Sequence, residues 1–399
     1  MVEAKPALVP KLRFPEFRGV EGWKEEAGSA LFDQINDRNP EPGLPVLAIT
    51  QEHGAIPRYV IDYHVSVTEK SIESYKVVKV GDFIISLRSF QGGIEYSRYH
   101  GICSPAYVIL RRRGSSSSDY FRHYLKTDRF IRILTKNLEG LRDGKMISYA
   151  QFSELQLPLP SPDEQQRIAE CLSAVDEVIA AQARKVEALK THKIGLTQQL
   201  FPREGETQPR LRFSEFRNDG EWVTDRLGNV CAVLNNRRRP ITSSDRKPGP
   251  YRYYGASGVV DYVDDYIFDE RVVLVGEDGA KWGAFERTAF VVEGKFWVNN
   301  HAHVLKPHGV NDTFLENFLG MADLGSFVTG AAPPKLTLGK LKEIPVPIPP
   351  TEEEGAAIAS CLSSLDALIA AESHKHEALK RHKRGLIQQL FPSPEKAEE

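Results

Sequence analysis

The chain has little that would supply chemistry of its own. Its 399 residues hold four cysteines, Cys103, Cys171, Cys231 and Cys361, and no C-x-x-C pair. That excludes the usual structural zinc site and a disulfide framework, and it fits a reducing compartment. There is no G-x-x-x-x-G-K-[ST] phosphate loop, no G-x-G-x-x-G, no H-E-x-x-H and no G-x-S-x-G. The histidines are scattered; "NNHAH" at 299–303 offers two of them two apart, without the carboxylate or cysteine support a metal site needs. No catalytic or metal-ligating constellation can be named. An excess of basic charge is also lacking: the net charge is −2 and the pI about 6.6, so any grip on nucleic acid must be local. No run approaches the ~20 apolar residues of a membrane helix. The opening "MVEAKPALVPK" lacks the apolar core of a signal peptide. The expectation is a cytoplasmic protein without a membrane role.

What is present is a duplication. "LRFPEFR" begins at residue 12 and "LRFSEFR" at residue 211, 199 residues later; Trp23 and Trp222, Asn36 and Asn235, and Arg38 and Arg237 match at the same spacing. A longer block, "CLSAVDEVIAAQARKVEALKTHKIGLTQQLFP", begins at Cys171. It returns 190 residues later, from Cys361, as "CLSSLDALIAAESHKHEALKRHKRGLIQQLFP". Roughly two thirds of its positions are identical. Between these blocks the halves barely agree. Joining the C-terminus to the N-terminus would recreate the junction in the middle of the chain, so the repeat is circular. It implies termini close together and a pseudo-two-fold arrangement.

The long block predicts a helix. "SPDE" at 161–164 and "TEEE" at 351–354 have the form of capping boxes, Pro162 suits a first helical position, and Pro202 and Pro392 end the pattern. Apolar residues recur every seven positions. One row is Ile168, Val175, Gln182, Leu189 and Leu196, with Ile358, Leu365, Glu372, Leu379 and Leu386 in the second copy. The other is Leu172, Ile179, Val186, Lys193 and Leu200, with Leu362, Ile369, His376, Lys383 and Leu390. A stripe this narrow needs a partner helix. The other copy is the natural one, and a two-fold relation makes the pair antiparallel. The polar positions Gln182/Glu372 and Lys193/Lys383 either fix the register or lie solvated at the seam edge. Gly195 and Gly385 mark either tolerated kinks or a close approach by a partner. His192 and His382 fit a solvated face.

The inserts read as mixed α/β. "DFIISL", "AYVILR", "RVVLVG" and "AHVLKP" are strand-like, and "LQLPLP" and "IPVPIP" lead into the helices. "DYFRHYLKTDRFIRIL", from residue 119, is helical in character. Loops after Leu87, Glu139, Gly276 and Thr329 carry Arg88, Ser89, Gln91, Arg142, Lys145, Lys281 and Lys335. The basic stretches "NDRN" and "NNRRRP" add Arg38, Arg237 and Arg238 at equivalent places. Arginine, lysine and glutamine read base edges, and the cations also grip phosphates, so these are the candidate DNA-binding residues. Plain surface exposure is the competing reading of each one taken singly.

The pairing of "LRFPEFR…W" with a capped helix ending "EALKTHKIGLTQQLFP", written twice, resembles the specificity subunits of type I restriction–modification enzymes. "GDFIISLRSFQGG…GICSPAYVIL", "VVLVGEDGAKWG…NNHAHVL" and "YYGASGVVDY" resemble their target-recognition domains. The resemblance implies an α+β fold: two mixed α/β recognition domains at 1–160 and 203–350, spacer helices at 161–202 and 351–392, and a flexible tail at 393–399. Each recognition domain would read one half of a split, asymmetric site in double-stranded DNA. The helices would set the spacing and dock two methyltransferase subunits. Those partners would hold S-adenosylmethionine, and motor or restriction subunits would use ATP and magnesium; this chain would bind no cofactor and catalyse nothing. An enzyme with its own nuclease or methyltransferase site, and a coiled-coil scaffold without a DNA role, are the alternatives.

Overall fold

The computed structural model describes residues 8–61, 74–114, 117–136, 147–330 and 333–392. Arg142, Lys145 and the 393–399 tail lie outside them. The chain forms two compact units, Met1–Ala181 with His376–Glu399, and Gln182–Lys375. Each takes one of the two inserts, one half of the long helix Pro162–Leu200 and one half of the long helix Glu352–Leu390. The circular repeat thus has a physical counterpart: the end of the helix Glu352–Leu390 belongs with the "LRFPEFR" segment near the start of the chain.

The two units make the same contacts from the duplicated sequence. In the first, the Leu12 amide donates to the Gln389 carbonyl at 2.9 Å; in the second, Leu211 donates to Gln199 at 2.9 Å. Lys24–Ala27 pairs antiparallel with Gln156–Leu159, and Val223–Arg226 with Pro345–Ile348. The prolines predicted to punctuate these lead-in strands are tolerated because each ribbon has only two strands, leaving an edge that needs no amide donor. Trp23 meets Phe391 edge-on at 6.4 Å, and Trp222 meets Phe201 at 6.4 Å, which fastens each domain to a helix end.

The inserts, so unlike in sequence, share a sheet order. In the first unit, Phe32–Ile35, Val108–Arg112, Phe83–Ile85 and Glu95–Tyr96 are neighbours in an antiparallel sheet. In the second, Cys231–Val233, Ala302–Pro307, Val272–Gly276 and Ala289–Val292 repeat that order. The second unit adds another four-stranded sheet, Gly258–Val263, Tyr251–Gly255, Lys295–Val298 and Phe268–Asp269. The stretch predicted as one helix from residue 119 is two, Ser118–Tyr124 and Asp128–Lys136. Between them the Thr127 hydroxyl accepts from the Phe130 amide at 3.1 Å, starting the second helix afresh.

The heptad rows form the seams. Ile168, Leu172, Ile358 and Leu362 are buried, and Val175, Ile179, Leu189, Leu196, Leu365, Ile369, Leu379 and Leu386 are half-buried. Within each unit the two helix halves run antiparallel. In the first, Lys383 pairs with Asp176 at 2.5 Å, while Leu172 shares a core with Leu386 and Leu390. In the second, Lys193 pairs with Asp366 at 2.6 Å, and the Gln182 amide donates to the Glu372 carboxylate at 2.6 Å. Buried Gln182 thus meets its repeat counterpart Glu372, while Lys193 and Lys383 reach aspartates at the partly exposed seam edge. An added Cβ at Gly195 or Gly385 would meet nothing within 4 Å, so this chain makes no close approach to either among the described residues.

The helix Glu352–Leu390 is also long and apolar enough, by length and composition alone, to cross a membrane. That differs from the expectation of no such run, because alanine and serine fill its first half with few charges. Ile358, Ala359 and Leu362 from that half lie in the principal core of the second unit.

The capping boxes are only half made. Ser161 and Thr351 accept from the Glu164 and Glu354 amides at 3.3 Å, as expected. The glutamate side chains do not turn back to the cap. Glu164 takes a two-pronged pair from Arg13, 2.8 Å to each oxygen, and Glu354 takes one from Arg212 at 2.7 Å. Exposure of the four side chains is 8, 2, 7 and 1% in the order Arg13, Glu164, Arg212, Glu354. The arginine of the repeated "LRF" thus locks each domain to its helix start, and the pairing holds each guanidinium above its ordinary pKa.

Candidate nucleic-acid interface

In the first unit the turn after Phe83–Ile85 is built to hold its side chains outward. The Ser86 amide donates to the Ser89 hydroxyl at 2.9 Å, and the Arg88 amide to the Ser86 hydroxyl at 3.3 Å. The short helix Ser89–Gly92 follows. Gly93 has φ of +79°, and a Cβ there would lie 2.1 Å from the Leu125 carbonyl, so only glycine closes the turn onto the helices behind it. Arg88 and Gln91 are left exposed beside Leu87 and Phe90. Ser89 is 1% exposed, and its hydroxyl is used inside the turn. Its place is that of a support for Arg88 and Gln91.

A neighbour missing from the sequence reading is the hairpin joining Leu47–Thr50 to Gly54–Pro57. The Gln51 amide donates to the Arg88 carbonyl at 3.2 Å, and a Cβ on Gly92 would strike the Gln51 side chain at 2.8 Å. Gln51 and His53 are exposed, so hairpin and turn form one surface with Arg88 and Gln91. The signal in sequence was only "TQEHG" between two short apolar runs. Arg38 is exposed as well, with its guanidinium 3.4 Å from the Asn36 side chain.

In the second unit two arginines of the basic stretch are tied into ion pairs. Arg237 pairs with Glu270 at 2.5 Å, donates to the Ile267 carbonyl and lies over the Phe268 ring at 4.3 Å. Arg238 pairs with Glu277 at 2.7 Å and donates to the Ala302 carbonyl at 2.9 Å. Both hold loops together. Arg239, which the sequence did not single out, is exposed like Arg237 but makes no ion pair with another described residue, and its backbone is fixed by Val298 and by the Trp297 indole. Lys281 is 79% exposed, 3.5 Å from Glu286. Lys335 pairs with Asp278 at 2.9 Å, and Asp278 also meets His301, bringing three loops to one carboxylate. Burial pushes the Asp278 pKa up, but the hydrogen bonds from Lys335 and His301 outweigh it and hold the group below its ordinary value.

The "NNHAH" histidines are structural. His303 is buried, its ring between the Leu336 carbonyl at 2.7 Å and the Asn235 amide at 2.8 Å, and burial lowers its pKa. No group of three or more potential metal ligands exists among the described residues. What the two surfaces can do is present arginine, lysine, glutamine and histidine from braced loops, a chemistry suited to phosphates and base edges.

Residues 31–191 and 219–381 match the family model described as the type I restriction modification DNA specificity domain. S.HindORF215P of Haemophilus influenzae, named as a type I restriction enzyme specificity subunit, is 38% identical over 154 residues, 38% of each chain. The chain thus aligns with about two-fifths of that relative's length. The MjaIX specificity subunit of Methanocaldococcus jannaschii is 22% identical over 321 residues, 71% of each chain. In fold, the chain resembles the type I restriction–modification S subunit from M. genitalium with a TM-score of 0.58. That match has 17% identity and covers 97% of this chain and 100% of the other.

Proposed function

Because the chain belongs to the type I restriction–modification DNA specificity family, we propose that it is the address-reading subunit of a DNA adenine methyltransferase or restriction complex. Each insert reads one half of a bipartite, asymmetric sequence in double-stranded DNA. The two long helices set the distance between the halves, and their repeated surfaces dock two methyltransferase subunits. Motor or restriction subunits join the same complex. S-adenosylmethionine, ATP and magnesium belong to those partners, and the chain works in the cytoplasm without catalysing a step.

One observation carries this reading: a duplicated frame supports two unlike inserts. Identical readers on such a frame would call for a palindrome; different readers call for two different half-sites. The repeated helix ends give two equivalent surfaces, which suits two copies of one partner. The braced, exposed residues Arg88 and Gln91 in one unit, and Arg239 and Lys281 in the other, are the proposed base and phosphate contacts. Ser89, Arg237, Arg238 and Lys335 support them, and Arg38, Arg142 and Lys145 add further contacts in the first insert.

The test is to map methylated adenines across the host genome with and without this chain. Loss of a single motif made of two unlike halves and a fixed gap is expected. An unchanged methylation pattern would refute the role.

A further inference from the structure

The first unit carries a cleft of about 630 Å³ between the helix Asp128–Lys136 and the end of the helix Glu352–Leu390. Its walls hold Lys11, Lys126, Arg129, Arg132 and Arg384, against one carboxylate, Asp128. Lys126 is paired with the buried Glu95, and Arg129 donates to the Pro392 carbonyl at 3.1 Å and lies 3.7 Å from Glu25. Lys11, Arg132 and Arg384 are exposed, and none makes an ion pair with another described residue. Like charges gathered in a concave surface repel, and an anion bound there relieves the repulsion. In a chain of net charge −2, so local a concentration is a specific feature.

The repeat itself narrows the occupant. Arg384 falls where the first copy has Ile194, and Ile387 where it has Thr197. A partner bound in two copies to the repeated helices would need the same chemistry at both ends, and this chemistry is written once. An asymmetric DNA site, in contrast, meets each unit with a different stretch of backbone. The helix Asp128–Lys136 also contacts the short helix Ser89–Gly92, which presents Gln91 beside Arg88. A phosphate held in the cleft would therefore fix the position of that turn, which is what backbone contacts do for base readers.

We propose that this cleft grips the phosphodiester backbone of duplex DNA beside the first half-site. The inference rests on the reading of the chain as a DNA-recognition subunit. The test uses the complete complex and a short random-sequence duplex, titrated over a range of salt. For the double variant Arg132→Ala, Arg384→Ala, the slope of log affinity against log salt should fall by about two, roughly one for each lost phosphate contact. The methylated sequence should stay the same. The variant Arg132→Lys, Arg384→Lys should restore the slope, because charge carries the contact. An unchanged slope with the complex intact overturns the proposal. An unchanged slope with methyltransferase subunits lost on purification overturns it in favour of an acidic protein segment as the occupant. If the unaltered complex shows no salt-dependent duplex binding at all, the underlying DNA reading has failed instead.

Discussion

Lengthening both long helices by one heptad, after Ala181 in the first and after Lys375 in the second, is expected to widen the recognised gap by about three base pairs. Seven residues add about 10 Å of helix at ~1.5 Å each, and duplex DNA rises ~3.4 Å per base pair. A whole heptad keeps both apolar rows on the same face. The insertion points are the places where the two compact units divide. The contacts of Lys383 with Asp176 in one unit, and of Lys193 with Asp366 and Gln182 with Glu372 in the other, are therefore left as they are. Both half-sequences should be unchanged. Lengthening one helix alone should instead set the seams against each other and lower stability. Sequencing the methylated sites gives the gap directly; an unaltered gap in a folded, active complex would remove the helices' role as a ruler.

Glu354→Ala should lower the stability of the chain by about 3–5 kcal/mol, the usual consequence of leaving one member of a buried ion pair alone. Glu354 is 1% exposed and accepts from both guanidinium arms of Arg212 and from the Trp222 indole at 3.2 Å. Its removal strands a buried charge and an indole N–H together. In the first unit, among the described residues, the Glu164 carboxylate accepts only from Arg13, and the buried Trp23 indole N–H finds no partner. Glu164→Ala should therefore cost less than Glu354→Ala. Denaturant unfolding of the two variants measures both. Replacing Arg212 and Glu354 together by leucine should recover much of the loss, because the desolvation of both charges disappears with them. Equal, small losses below about 1 kcal/mol for both single variants would mean that these pairs are effectively hydrated.

The frame was legible because its signals are local or periodic. Helix Pro162–Leu200 begins at the proline that suits a first turn, and both long helices carry one heptad pattern from end to end. The polar exceptions left two readings open; Gln182 and Glu372, at equivalent positions in the repeat, meet in the structure. Other features were not local. Glu164 and Glu354 looked like capping glutamates, and only the fold brings Arg13 and Arg212 within reach of them, 151 and 142 residues away. The common sheet order of the inserts was hidden because strands such as Phe83–Ile85 and Val272–Gly276 are buried on both faces and show no alternation. Which arginines of "NNRRRP" are tied into ion pairs depends on Glu270 and Glu277, more than 30 residues away. The same holds for Ser89, whose inward hydroxyl is set by the turn and not by its polarity.

The most direct test of the central claim is to replace residues 20–160 with the corresponding insert of another specificity subunit and map adenine methylation in cells carrying the hybrid. The expected result is a new first half-sequence, with the second half-sequence and the gap retained. A folded hybrid that changes both halves, or neither, would contradict the claim that each insert reads its own half of the site.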